Sequence, residues 1–302
     1  MPRKLIYFDR NVYDVIKNHL EKRTADYKLI KRGIELGVIV VPGSISVLEE
    51  ALPVYRSKSP EKLSLEKQTY SEIMDWRVFI KYHAILLRDE IVAYINNTPF
   101  APFIEYKITP DDVFTTNRKQ SKDWLRVVSE TEDRKNEYAE NLNIIRQNFE
   151  QNIRQIPKSE RRQMTVTSLW EERAKNVAKD YAARYGLINL EESQIEGLLS
   201  LRSLGAVIRY DIAYYYKKVK LGEKIKGSDS RDHHHVALSA VTDIFVTEDS
   251  QFAEILALIP MQNRTVWSYK QFIRWLSKAV AGWQVAGLKV SDSYYGRPWS
   301  DK

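Results

Sequence analysis

The sequence predicts an α/β fold with a parallel sheet, interrupted by a mostly helical segment. Short apolar segments typical of buried strands alternate with helical patterns near both ends of the chain. Between these ends we find no segment with a strong strand pattern. The chain has only 11 Gly and 10 Pro among 302 residues, which favours long helices over a turn-rich β architecture.

The elements of the first part follow a β-α-β-α order. Runs of apolar, β-branched and aromatic residues predict the strands, and apolar residues at helical spacing predict the helices. In order, we predict a strand over Lys4–Phe8, a helix over residues 11–36 ended by Gly37, a strand over residues 38–41 closed by Pro42 and Gly43, and a helix over residues 44–55.

The middle and the end of the chain differ in pattern. Residues 60–200 predict helices almost throughout, the first of them a long amphipathic helix whose apolar stripe contains Ile73, Trp76, Ile80, His83, Leu87, Ile91 and Tyr94. Two further helices are predicted over residues 121–155 and 167–185. The α/β pattern then returns, with helices over residues 198–219, 232–241, 251–258 and 269–280 and strands over residues 243–247 and 265–267. We therefore predict a discontinuous core of residues 1–58 and 198–282, a helical insertion of residues 59–197, and a tail of residues 283–302 without a predicted structure.

The composition excludes several classes of protein. Because the chain has no Cys, disulfides, thiolate zinc sites and cysteine nucleophiles are excluded. No apolar segment approaches the roughly 20 residues of a membrane span, and a charge follows the first four apolar residues too early for a signal peptide. We therefore expect a cytoplasmic protein without a membrane partner. The net charge of +7 is compatible with a nucleic-acid partner.

Four acidic residues fall where an α/β sheet places ligands. Asp9 and Asp249 follow predicted strands, and Glu49 and Asp232 open the helices that come after strands or a linker. The carboxyl ends of parallel strands and the starts of the following helices share one edge of a sheet, so these acids are expected to converge. Carboxylates held together suit Mg²⁺ or Mn²⁺, which can activate water for attack on a phosphodiester.

Each of these acids also has an explanation that needs no chemistry. Asp9 with Asn11 can cap a helix, and Asp232 or Asp229 can cap another. Ser46 and Glu49 have capping-box spacing, and the adjacent Glu50 competes with Glu49 for the functional role. Asp249 after a strand is typical of a turn. Only the joint placement of the four acids favours a site.

Four segments, taken in chain order, resemble PIN-domain nucleases: FDRNVY, SISVLEEAL, SRDHHHVALSAVTDIFVTEDSQF and TVWSYKQFIRWL. The resemblance covers about residues 1–58 and 198–280 and leaves out the helical middle. It implies an α/β/α sandwich and Mg²⁺- or Mn²⁺-dependent cleavage of RNA, less often of DNA, that leaves a 5′-phosphate and a 3′-hydroxyl. By position it implies a metal-binding catalytic quartet of Asp9, Glu49, Asp232 and Asp249, supported by Asn11 and Thr247, with Asp229 as an extra ligand or a loop residue. Toxins and defence proteins are common in this family, so a protein inhibitor is an implied partner, and homo-oligomerisation stays open.

Two further groups of residues suit a nuclease. Of the three consecutive histidines, His235 is best placed to ligate metal or contact phosphate, whereas a mixed buried and solvated helix face is the alternative. A basic linker after Tyr214, Tyr215 and Tyr216 suits a single-stranded nucleic acid, unless its stems only cover a helix end. Its lysines are Lys217, Lys218, Lys220, Lys224 and Lys226.

Two other functions are alternatives to the nuclease. Haloacid-dehalogenase phosphatases also place Asp after the first strand, but they need a second Asp two residues on, where this chain has Asn11. A PIN-like scaffold that binds nucleic acid or protein without cutting is the non-enzymatic alternative. The sequence favours the nuclease because four acids are retained.

Overall fold

The computed structural model describes residues 3–55, 59–114, 124, 155–221, 229–258 and 265–286. Within them the strands are β1 (Lys4–Phe8), β2 (Ile39–Val40), β3 (Pro42–Ser44), β4 (Asp75–Ile80), β5 (Phe103–Ile104), β6 (Ile244–Val246) and β7 (Thr265–Trp267). The helices are α1 (Arg10–Glu21), α2 (Ala25–Glu35), α3 (Ile45–Tyr55), α4 (Pro60–Ile73), α5 (His83–Ile95), α6 (Pro110–Val113), α7 (Lys158–Gln163), α8 (Val166–Arg184), α9 (Glu192–Ser200), α10 (Arg202–Leu221), α11 (Asp229–Ser239), α12 (Ser250–Leu258) and α13 (Tyr269–Ala286).

The strands form a four-stranded parallel sheet and a three-stranded sheet that share one segment of chain. The parallel sheet has the order β2-β1-β6-β7, and the smaller sheet has the order β3-β4-β5. Strand β3 pairs with β4 in parallel, and β5 is antiparallel to β4. Because only Val41 separates β2 from β3, the same segment pairs first with β1 and then with β4.

Helices cover both faces of the parallel sheet, because neighbouring side chains of a strand point to opposite faces. On β1, the Tyr7 ring packs against His235 of α11, whereas the Phe8 ring packs against Phe272 of α13. On the Phe8 side α2 packs against α13 and against α1 and α4, and on the Tyr7 side α10 packs against α5, α11 and α12. The predicted α/β fold with a central parallel sheet is therefore confirmed.

Most elements of the predicted core are present, with one helix divided. The strands β1, β6 and β7 and the helices α3, α11, α12 and α13 match the predictions to within a few residues. Gly37 ends α2 in the left-handed region, at φ 66°. The prediction of a single helix over residues 11–36 is wrong. Arg23 has φ 49°, which no helix continues through, and α2 begins anew after Thr24.

The prediction that the middle of the chain has no strand is also wrong. Strand β4 interrupts the apolar stripe that predicted one long helix, so α4 and α5 are separate. The predicted close of the second strand at Pro42 and Gly43 is wrong as well, because both residues belong to β3. A Cβ atom at Gly43 would lie 2.4 Å from the Phe79 ring of β4, so glycine allows the two strands to approach.

The remaining helices lie outside the sheet. Helix α8 confirms the helix predicted over residues 167–185, whereas most of the helix predicted over residues 121–155 lies outside the described residues. Residues 283–286 of the predicted tail complete α13, and residues 287–302 lie outside the described part. In the ranges that the structure describes, no helix combines the length and the apolar character that crossing a membrane requires.

Candidate functional site

Asp9 lies at the end of β1, where it caps α1 and contacts the neighbouring strand. Its Oδ1 accepts a hydrogen bond from the Asn11 N–H at 2.8 Å, and its Oδ2 accepts one from the Thr247 hydroxyl at 2.6 Å. Thr247 follows β6, the parallel neighbour of β1. The Asp9 residue is only 5% exposed. Thr247 thus contacts Asp9 through its side chain, whereas Asn11 contacts it through the backbone N–H and has an exposed side chain.

Asp249 belongs to the same edge of the sheet through Thr247. The Asp249 N–H donates to the Thr247 hydroxyl oxygen at 3.0 Å, so one threonine side chain bridges Asp249 and Asp9. The Asp249 Oδ1 accepts a hydrogen bond from the Phe252 N–H at 2.9 Å, which caps α12. Both acids that follow strands thus cap helices; the alternative interpretation expected this for Asp9, whereas for Asp249 it expected a turn.

His235 of α11 is the centre of a second group of contacts at this edge. Its Nδ1 lies 2.8 Å from the Tyr7 hydroxyl, and its Nε2 lies 2.9 Å from the Glu50 Oε1. The Tyr7 hydroxyl also approaches Ser44 Oγ at 3.4 Å. His235 is only 4% exposed, so the imidazole is held inside the protein with both ring nitrogens engaged.

Glu50, and not the predicted Glu49, contacts His235. Helix α3 begins at Ile45, and Ser44 Oγ accepts a hydrogen bond from the Val47 N–H, so Ser44 starts the helix. The capping box considered for Ser46 and Glu49 does not fit this start. Because adjacent helical residues point about 100° apart, the Glu49 side chain leaves α3 in another direction from Glu50.

Asp232 contacts the same region from the first half of α11. Its Oδ2 accepts a hydrogen bond from the Tyr210 hydroxyl at 3.0 Å. Asp9, Glu50 and Asp232 all lie close enough to act electrostatically on the imidazole of His235. We call Asp9, Glu50, Asp232 and the enclosed His235 the acidic edge. The side chain of Asp229, at the start of α11, lies outside the described part.

The charges of the acidic edge shift the pKa values of its members. Burial raises the pKa of Asp9, and the nearby Glu50 adds to the rise, although His235, Thr247 and the Asn11 N–H oppose it. Burial alone would lower the pKa of His235, but Glu50, with help from Asp9 and Asp232, raises it to about 9. At neutral pH the imidazole is therefore protonated, and its two N–H groups donate to Tyr7 and Glu50.

The other two histidines have separate contacts. His233 Nδ1 lies 2.7 Å from Asp211 Oδ1, and the Tyr181 hydroxyl donates to Asp211 Oδ2 at 3.1 Å. The ring of His234 stacks on that of His83, with centroids 3.5 Å apart. The three histidines thus point in three directions, as helix geometry predicts.

The lysines predicted to bind nucleic acid are engaged within the protein or lie outside the described residues. Lys217–Lys220 continue α10 rather than forming a linker. The Lys217 Nζ lies 2.9 Å from Glu254 Oε2, the buried Lys218 packs over the Tyr214 ring, and the Lys220 Nζ donates to the carbonyls of Arg162 and Met164. The alternative, in which the stems cover a helix end and the charged heads are solvated, also differs from this arrangement, because the three Nζ groups contact a carboxylate, a ring and two backbone carbonyls. Lys224 and Lys226 lie outside the described residues.

The acidic edge, as arranged, does not fit a divalent metal ion. Among the described residues no group of three or more His, Asp or Glu side chains could hold one. Both Asp9 carboxylate oxygens accept hydrogen bonds, and Glu50 Oε1 is paired with the imidazole of His235. In this arrangement the charge beside the carboxylates is that of protonated His235.

Comparisons with protein-family models, curated proteins and solved structures found no match to this chain. The strand-end argument found Asp9, Asp249 and Asp232, and the resemblance to PIN-domain nucleases added Thr247. It missed Tyr7, although Tyr7 lies two residues before Asp9 and therefore on the same side of β1. It also missed Asp211 in the long helix α10, for which the sequence carries no local signal.

Proposed function

We propose that the protein is a PIN-like nuclease that cleaves RNA at the acidic edge. The observation that carries the proposal is that one edge of the sheet holds the buried Asp9, bridged by Thr247 to Asp249, and the Glu50 carboxylate, hydrogen-bonded to the buried His235, on which Asp9 and Asp232 also act electrostatically. Asp249 lies beside them through Thr247. A buried group of like charges is costly to maintain, and such groups are concentrated at functional sites.

The position of the acidic edge supports the proposal. On one side of β1 the chain places β2, and on the other it places β6, so the direction of winding reverses at β1. In open α/β sheets, ligands bind outside the carboxyl ends of the strands at such a reversal. Asp9 and Thr247 occupy the carboxyl ends of β1 and β6, the two strands that meet there.

Under this proposal the carboxylates of the acidic edge orient the attacking water and hold its proton, and Thr247 positions Asp9. The preference for RNA over DNA comes from the resemblance to PIN-domain nucleases. The requirement for Mg²⁺ or Mn²⁺ and the inhibitory protein partner stay predictions from that resemblance. The roles proposed for the carboxylates and for Thr247 do not depend on them.

A second candidate function is a PIN-like scaffold that binds nucleic acid or protein without cutting it. Two observations favour it. Asp9 and Asp249 both cap helices, so the fold alone gives a reason for these acids. The described side chains form no group that could hold a metal ion. The two functions differ in a single measurable property, the cleavage of a phosphodiester bond.

A cleavage assay with the variant Asp9→Asn tests the nuclease. Asparagine keeps the size of the side chain and one acceptor oxygen, so the fold is retained while the charge is lost. We expect cleavage of a single-stranded RNA to fall by about 100-fold or more. Each protein is assayed with Mg²⁺, with Mn²⁺ and with EDTA. Glu35→Gln, which removes an exposed carboxylate at the end of α2, is the matched control.

The outcomes separate the two candidates. Cleavage by the original protein that Asp9→Asn does not reduce would place the activity elsewhere and end the proposal. RNA binding without cleavage under all three conditions would favour the scaffold. Cleavage that survives EDTA would remove the metal requirement and leave the site assignment in place.

A further inference from the structure

Two arginines of α8 stack on tyrosine rings at the surface of the helical layer. The Arg184 guanidinium lies 4.8 Å from the centroid of the Tyr181 ring, and the Arg173 guanidinium lies 4.3 Å from that of the Tyr215 ring on α10. Arg184 is exposed, and the Arg173 side chain is 40% exposed. Stacking on the ring fixes a guanidinium in place while its outer N–H groups remain available to an anion.

Arg184 lies close to the acidic edge. Its partner Tyr181 donates a hydrogen bond to Asp211, which in turn contacts His233, the residue next to Asp232. The Arg184 charge also acts on His233, where it opposes protonation. Among the described residues, no carboxylate lies within ion-pair distance of Arg184. The Arg184 guanidinium is therefore a positive group linked to α11 through Tyr181 and Asp211, and it forms no ion pair with a carboxylate in the described part of the chain.

Arg173 lies on the same face of α8 as Arg184. The two residues are 11 positions apart, which is close to three helical turns and about 16 Å. Arg173 has a carboxylate neighbour, since its Nε lies 3.7 Å from Glu172 Oε1, but that atom makes no hydrogen bond with the described residues. The two guanidiniums thus form a row along one face of α8, and Arg184 is the one whose charge acts on His233.

The helices around this line are more basic than the rest of the chain. Residues 155–221, which contain α7 to α10, have twelve Lys and Arg against eight Asp and Glu, a net +4 of the +7 of the whole chain. Arg209 adds a further stack, over the Trp170 ring at 5.0 Å. A surface that combines positive charge with aromatic rings fits the phosphates and bases of a single-stranded nucleic acid.

We propose that Arg173 and Arg184 form an arginine track that binds the phosphates of a single-stranded nucleic acid and leads the strand to the acidic edge. The destination of the strand rests on the proposed nuclease function, whereas the binding surface does not. The track replaces the predicted lysine segment as the binding surface, because Lys217 and Lys220 are held by Glu254 and by two backbone carbonyls.

The test is the binding of a fluorescein-labelled single-stranded RNA of about 12 nucleotides, followed by fluorescence anisotropy in EDTA at several salt concentrations. We expect the double variant Arg173→Gln/Arg184→Gln to weaken binding by about tenfold and to lower the salt slope by about 1.4, the value for two phosphate contacts to a single strand. The variant Lys217→Gln/Lys220→Gln, which removes the same charge from α10, is the matched control and should change binding less than about twofold. Circular dichroism checks that both variants are folded.

If the double variant fails to fold, single substitutions at Arg184 still test the proposal. Arg184→Lys retains the charge but loses the planar stack on Tyr181, so we expect a smaller loss of binding than for Arg184→Gln alone. Equal binding by the original protein and the arginine variants would overturn the track, and so would the absence of RNA binding by the original protein. Equally tight binding of polyglutamate would also overturn it, because the surface would then suit an acidic protein.

Failure of the track and failure of the nuclease give different results. If cleavage depends on Asp9 but arginine variants bind and cleave normally, the nuclease stands and the track is wrong. If the arginines control binding but no cleavage occurs with Mg²⁺, Mn²⁺ or EDTA, the track stands and the nuclease is wrong.

Discussion

Asp9 and Arg10 are neighbours in the chain and both are buried, yet their charges have opposite surroundings. Asp9 belongs to the acidic edge, where its direct contacts come from a hydroxyl and a backbone N–H. Arg10 points to the other side of α1, where its guanidinium lies 2.8 Å from Glu66 and 2.9 Å from Asp14. We call Arg10, Asp14, Lys17 and Glu66 the ion-pair cluster.

The ion-pair cluster balances its charges, because Lys17 contacts both Asp14 and Glu66. Burial alone would raise the pKa of Asp14, but Lys17 and Arg10 hold it below its ordinary value. The pKa of Asp9 is shifted in the opposite direction. At Asp14 the neighbouring cations outweigh the cost of burial, whereas at Asp9 burial and Glu50 outweigh the protonated His235, and this difference supports the proposed function at the acidic edge.

The largest expected effect on stability is at the ion-pair cluster. Arg10→Met removes the guanidinium that lies 2.8 Å from the buried Glu66 carboxylate, so we expect the free energy of unfolding to fall by about 3–5 kcal/mol. Asp9→Asn removes a charge that burial disfavours, so we expect a change of less than about 1 kcal/mol. Urea denaturation at pH 7 measures both values.

The control for this comparison is Arg32→Met, which removes a half-exposed arginine near the end of α2 and should change stability by less than about 0.5 kcal/mol. An Asp9→Asn variant that is destabilised as strongly as Arg10→Met would show that Asp9 is a structural charge. The distinction between the two regions would then be lost.

We expect the acidic edge to make the free energy of unfolding depend on pH. The pKa of His235 is raised to about 9, so its contribution is fully present below its unfolded value and is lost as pH rises through 9. The raised pKa of His235 therefore corresponds to a loss of about 3 kcal/mol in the free energy of unfolding between pH 6 and pH 9.5. We expect His235→Gln to remove this part of the pH dependence, as measured by urea denaturation at both pH values. His234→Gln replaces the neighbouring imidazole and should leave the dependence as it is; identical curves for both variants would contradict the assignment.

The sequence predicted the local elements well where the pattern allowed one interpretation. Strands β1 and β6 are short apolar segments, and Gly37 ends α2 as predicted. Strand β4 was missed because Trp76 and Ile80 also fit a helical stripe with the residues on either side. What makes residues 75–80 a strand is pairing with β3, a contact between distant segments that periodicity does not show.

The candidate site shows the same limit. The chemistry of parallel sheets predicted that Asp9 and Asp249 would share an edge, and the structure places both beside Thr247. The choice between Glu49 and Glu50 depended on where α3 starts, which two serines left open. Arg184 could not be assigned at all, because its closeness to the acidic edge depends on how α8 packs against α10.

The smallest expected changes in stability are those of substitutions at the two glutamates of α3, Glu49 and Glu50. Glu50→Gln removes the first cause that raises the pKa of His235 and weakens a charged hydrogen bond, so we expect a loss of about 2 kcal/mol at pH 7. It should also flatten the pH dependence between pH 6 and 9.5. Glu49→Gln keeps the length and polarity of a partly exposed side chain that leaves α3 in another direction, so its expected change is below about 0.5 kcal/mol. If the two variants exchanged these results in urea denaturation, Glu49 and not Glu50 would be the acid that supports His235.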